Sequence, residues 1–187
     1  MTGTSHYINS SIDQYTLFIF GAHRYINSDI CTNEEKKNLS RILEGFAKRA
    51  EKNVTKENCY DMLRDDGGKS LATTFWGENL GNHEYLRLPM IYLAAWEASG
   101  NERWLEAYRK IRSEAYEKSL PMGSYWHLYT LQQMQVSVRL CYDADPDKRL
   151  TKEAEELFEY AYNKIDFEKH SRTLPVHFLQ GYYRAFL

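Results

Sequence analysis

The stretch Leu88-Pro89-Met90-Ile91-Tyr92-Leu93-Ala94-Ala95-Trp96-Glu97-Ala98-Ser99-Gly100-Asn101-Glu102-Arg103-Trp104 decides the fold. Its first half is apolar on every side, which is the pattern of a buried helix. Gly100 suits the left-handed residue that ends a helix, and Asn101 is a favoured N-cap. The following segment, Glu102 to Ser119, places Trp104, Leu105, Tyr108, Ile111 and Ala115 on one stripe and Arg and Glu on the other. Such a helix covers a surface. A buried helix, a three-residue turn and a covering helix form one antiparallel hairpin.

Moving outward, the same alternation recurs. A first helix is expected over about Ile12 to Ile26 after a Ser10/Ser11 cap, with the apolar run Tyr15-Thr16-Leu17-Phe18-Ile19-Phe20. A second, charged and amphipathic, runs from about Asn33 to Asn53 behind a capping box of Thr32 and Glu35. The third is expected from about Asn82 to Ser99. A fifth, apolar one covers about Tyr125 to Asp143, a sixth, striped one about Thr151 to Ile165, and a seventh starts near Pro175. No stretch alternates with period two long enough for a strand. Odd helices read as buried and even ones as covering, so the expected fold is all-α: antiparallel helical hairpins in two layers, as one domain over residues 1–187. If successive helices are antiparallel, the inner helices share a direction. Their N-termini and the long loops, above all Val54 to Gly81, then share one face.

Composition narrows the function classes. The chain has 187 residues, a net charge of −2 and no long basic run, which argues against a nucleic-acid partner or an anionic membrane surface. No apolar run approaches the ~20 residues of a membrane span. Cys31, Cys59 and Cys141 are odd in number and far apart, so neither a disulfide framework nor a zinc site is expected. This leans towards a reducing, cytoplasmic compartment. The start lacks the basic and apolar regions of a signal peptide, and Thr2-Gly3-Thr4 leads almost directly into an apolar helix, as a piece of a longer protein would. The 15 Tyr, 8 Phe and 4 Trp exceed ordinary usage and suit either a large core or a cleft whose flat faces stack on ligand rings.

Inner and outer hairpins, with Trp96-Glu97-Ala98-Ser99-Gly100-Asn101-Glu102-Arg103-Trp104 at a tight turn, resemble the six-hairpin (α/α) toroid glycosidases, among them the unsaturated glucuronyl and rhamnogalacturonyl hydrolases and related bacterial proteins. A complete toroid has six hairpins and this chain holds three and one further helix, so the resemblance implies an incomplete toroid. It also implies carbohydrate processing, a carbohydrate ligand, and a cleft at the N-terminal ends of the inner helices. An exposed apolar edge, and self-association through it, follow from the half toroid.

Those helix ends carry polar and aromatic side chains: Asp13, Gln14 and Tyr15; His83, Glu84 and Arg87; Trp126 and His127. Free N–H groups and the helix dipole favour anions there. The resemblance makes Asp13 a general acid/base; as a first-turn acid in a Ser10-x-x-Asp13 cap it would be structural. Hydrolysis of a glycosidic bond ordinarily takes two carboxyls, at ~5 Å or ~6.5–9.5 Å according to stereochemical outcome. Glu84 and the loop aspartates Asp61, Asp65 and Asp66 are the other candidates. His83 beside Glu84 suits shared proton transfer or a loop hydrogen bond. Arg87 suits a sugar carboxylate or an i,i+3 pair with Glu84. Trp76 and Trp126 read either as sugar platforms or as core, whereas Trp96 and Trp104 flank the opposite turn and read as structural. His83, His127 and His177 have no ligand spacing, so no metal and no cofactor are expected. The competing reading is an α-solenoid that binds a partner without chemistry. Equivalent turns near residues 29, 100 and 145 recur at spacings of about 71 and 45, which departs from a solenoid's fixed period. A sugar-binding remnant of the toroid is the third reading.

Overall fold

The computed structural model describes residues 11–64, 66–70, 72–120, 128–149 and 151–163. Among them the chain is all-helical: α1 (Ile12–Ile26), α2 (Asn33–Asn53), α3 (Arg87–Ser99), α4 (Glu102–Ser119), α5 (Leu128–Ala144) and α6 (Thr151–Asn163), with short 3-10 turns at Lys56–Asn58 and Asn82–Glu84. The expected seventh helix lies outside the described residues, as does the stretch before α5.

The caps explain where the helices begin and end. Thr32 and Glu35 form the expected capping box of α2. Gly100 takes the left-handed conformation at φ 70° and ends α3, and the Asn101 side chain accepts from the Arg103 N–H to start α4. The α1 cap is Ser11, in a reciprocal box with Gln14, so Asp13 is not the partner of a Ser10 cap. The third helix starts at Arg87, five residues later than its sequence pattern suggests. Pro89 is the reason: a continuous helix from Asn82 would drive its ring into the Tyr85 carbonyl. Placed in the first turn of α3, Pro89 owes no hydrogen bond, and the first one runs from the Met90 N–H to the Leu86 carbonyl at 3.1 Å.

α3 is the centre of the molecule. Leu88 to Ala95 are all buried, and α3 packs against α1, α2, α4 and α5. α2 and α4 cover it, while α6 packs on α5. The Tyr92 and Trp104 rings stack between α3 and α4 at 6.2 Å, and Trp104 donates to Glu44 of α2 at 3.1 Å. Trp104 is therefore structural, as its place at the turn suggested. α1 differs from its expected character. Its apolar run is not enclosed, for Leu17 and Phe18 are 47% and 44% exposed.

The connection from α2 to α3 is an ordered loop. The Met62 N–H donates to the Thr73 carbonyl and the Phe75 N–H to the Tyr60 carbonyl, and Asp61 and Thr74 form an isolated antiparallel bridge. Met62 and Phe75 enter the core. The Ile12 N–H donates to the Ala72 carbonyl at 2.9 Å, which ties the loop to the start of α1.

Candidate functional site

The starts of α1 and α3 meet in one side-chain cluster. Arg87, in the first turn of α3, is 1% exposed. Its Nη1 lies 3.0 Å from Asp13 Oδ1 and 3.3 Å from Glu84 Oε1. A buried guanidinium requires such partners, since an unpaired buried charge is costly. Arg87 Nε is buried with no hydrogen-bond partner among the described residues. Of the two readings of Arg87, the i,i+3 pair with Glu84 is present, and Asp13 joins it from another helix.

The two carboxylates differ in what remains of them. Glu84 places its second oxygen on the Gly81 N–H at 3.0 Å, capping its own 3-10 turn. Asp13 is bonded through Oδ1 alone among the described residues and is the more exposed acid, 27% against 21%. Both bind one nitrogen, so their bonded oxygens lie no more than about 6 Å apart. His83 sits beside them. Burial, and next the charge of Arg87, push its pKa down to about 4, while Asp13 opposes that shift. His83 is consequently neutral at pH 7.

Trp76 lies against this cluster's segment of chain. Its ring meets Tyr85 edge-on at 5.7 Å, and the Tyr85 hydroxyl donates to the Gly77 carbonyl at 2.7 Å. Lys118 of α4 places its ammonium over both rings, at 5.6 and 5.2 Å. Lys118 was not legible as a site residue, because it reads as a surface lysine. The cation over two adjacent rings appears only once α4 is placed beside the loop.

The remaining candidates go elsewhere. Asp61 accepts from the Thr74 hydroxyl at 2.5 Å and from Lys69 at 3.0 Å, which fastens the loop bridge. Asp66 takes both ends of the Arg64 guanidinium and the Gly68 N–H, a turn closed within five residues. Neither is bonded to the Arg87 cluster. Gln14 closes the α1 capping box, and Tyr15 packs edge-on to Phe46 at 5.3 Å. Asp65, Trp126, His127 and His177 lie outside the described residues. Among the described residues, no three His, Cys, Asp or Glu side chains converge as a metal site, and no helix is long and apolar enough to cross a membrane.

No protein-family model, curated protein or solved structure matches the chain.

Proposed function

We propose that this chain is a carbohydrate-active domain of the inner-and-outer hairpin kind, part of an (α/α) toroid, whose ligand is held at the shared mouth of α1 and α3. The observation that carries this reading is the Asp13–Arg87–Glu84 cluster, in which Asp13 Oδ2 has no partner among the described residues. A fixed carboxylate backed by a buried guanidinium accepts hydroxyl hydrogens from a sugar, and such charge-assisted bonds are the strong ones. Trp76, half-buried and set edge-on against the buried Tyr85 ring, is the aromatic side chain of the same segment that a ligand could reach.

Binding is better supported than hydrolysis. A general acid must reach the leaving-group oxygen, and the Asp13 and Glu84 oxygens that Arg87 engages are turned to the guanidinium instead. Glu84 has both oxygens engaged. Among the described residues, Asp13 is the one carboxylate of the pair with an oxygen left to meet a substrate.

Calorimetric titration of the full chain with a panel of neutral and acidic oligosaccharides tests this. The expected result is saturable binding of at least one glycan and a loss of about tenfold in affinity in Asp13→Asn, the worth of one charge-assisted hydrogen bond. Reducing-end release by the wild type and its loss in D13N would extend the role of Asp13 to catalysis. An empty panel, or equal binding by D13N, refutes the site.

A further inference from the structure

A concavity lies where the C-terminal half of α2 faces the loop that follows it. It is an open groove of about 760 Å³, within the ~300–1,000 Å³ usual for small-molecule sites. None of its described lining residues belongs to the Arg87 cluster. Its two ends differ in chemistry. At one end Ile42, Gly45 and Phe46 form an apolar floor, continued by Phe18, whose ring lies 5.6 Å from Phe46. At the other end stand Lys48, Arg49, Lys52 and Arg64, and no described lining residue is acidic.

The cations are not all engaged alike. Arg49 donates through two nitrogens to the Leu63 carbonyl and so holds the far wall in place. Arg64 is bidentate to Asp66. Lys48 reaches Glu44 only at 3.7 Å and is 62% exposed. Lys52 forms no ion pair among the described residues. Two ammonium groups one helical turn apart thus remain to meet an anion. Gly45 gives the groove its depth. Glycine is a poor choice inside a helix, yet a Cβ built there meets nothing within 4 Å. The missing side chain leaves space over the floor, and helix packing does not demand it.

We infer that this groove binds an amphipathic organic anion, its apolar body on Ile42, Gly45 and Phe46 and its phosphate, sulfonate or carboxylate head on Lys48 and Lys52. The polarity of the groove fixes the orientation. The exposed ammonium groups make the head contact sensitive to salt.

The test uses the intact chain and 8-anilinonaphthalene-1-sulfonate, a flat apolar probe with one anionic head, followed by fluorescence. Saturable binding is expected, displaced by decyl phosphate and not by decanol or by inorganic phosphate alone. Gly45→Leu fills the floor and should weaken the probe about tenfold or more, as loss of the buried apolar contact requires. K48Q/K52Q should weaken it comparably and reduce its salt dependence. Circular dichroism verifies that both variants keep their helices, and Asp13→Asn, which leaves the groove untouched, should bind the probe as wild type does. Equal binding by G45L and wild type overturns the proposal, and displacement by decanol as effective as by decyl phosphate overturns the anionic head. Failure of the glycan titration leaves this result unaffected, because the two experiments use different residues and different ligands.

Discussion

Arg87 holds two acids from two parts of the chain on one nitrogen, so its removal strands both. Arg87→Met keeps the bulk and deletes the charge. Breaking a fully buried pair costs about 3–5 kcal/mol. Asp13 and Glu84 keep partial access to water, so about 2–3 kcal/mol is expected here, read from urea unfolding. A variant as stable as wild type would mean that the cluster holds nothing together. His83 gives the same site a pH signature. Burial lowers its folded pKa to about 4 from 6.5, so the unfolded chain takes up that proton first. The stability tied to neutral His83 is complete above pH 6.5 and is lost as the pH falls towards 4. His83→Asn should flatten the fall in denaturation midpoint between pH 6.5 and 4. Asp147 acts lower on the scale. Arg109 and then Arg112 bond its carboxylate and bring it to about 2 from 3.8, so its contribution is whole above pH 4 and lost as pH falls through 2. An H83N profile that superimposes on wild type between pH 6.5 and 4 would remove His83 from the account.

At the scale of the helices, two glycines make opposite predictions. Gly100 sits at φ +70° with open space around its absent Cβ, so Gly100→Ala should cost about 1 kcal/mol through the backbone alone. Gly45 lies inside α2 with equal space and ordinary helical φ. Gly45→Ala should stabilise by about 0.5–1 kcal/mol, while making the groove shallower. Thermal unfolding of both variants checks the pair, and a shift of the same sign in both would contradict it. These turns and caps were legible because each depends on neighbours in sequence. Thr32 meets Glu35, and Gly100 precedes Asn101. The start of α3 was legible too, in Pro89, but its apolar periodicity carried the reading past that residue. The site was legible in part. Asp13, Glu84 and Arg87 each stand at a helix start, and the starts of α1 and α3 meet. Asp61 and Asp66 were drawn away by Thr74, Lys69, Arg64 and Gly68, partners within their own loop that spacing alone does not rank. The basic groove had a signal in Lys48 and Lys52, one turn apart on α2 with Gly45 a turn before, but its far wall comes from a loop whose path the sequence does not dictate.

For the whole molecule, the order of burial among the inner helices matters most. α3 is enclosed by four neighbours, and the latch at the end of α5 closes the far side: Arg112 and Asp145, 7% and 5% exposed, pair at 3.2 Å with the Tyr108 hydroxyl on the same carboxylate. α1 touches α2, α3 and α5 yet leaves Leu17 and Phe18 in solvent. These two large apolar side chains stay partly in water, and a contact that covered them would remove that surface from solvent. The chain should therefore self-associate as concentration rises. Sedimentation velocity over a concentration series reads this directly. Leu17→Glu keeps a good helix former at a position 47% exposed, so the fold should survive while the association weakens, since like charges would face each other across the contact. A wild-type chain that sediments as one monomeric species throughout the series would show that α1 needs no cover.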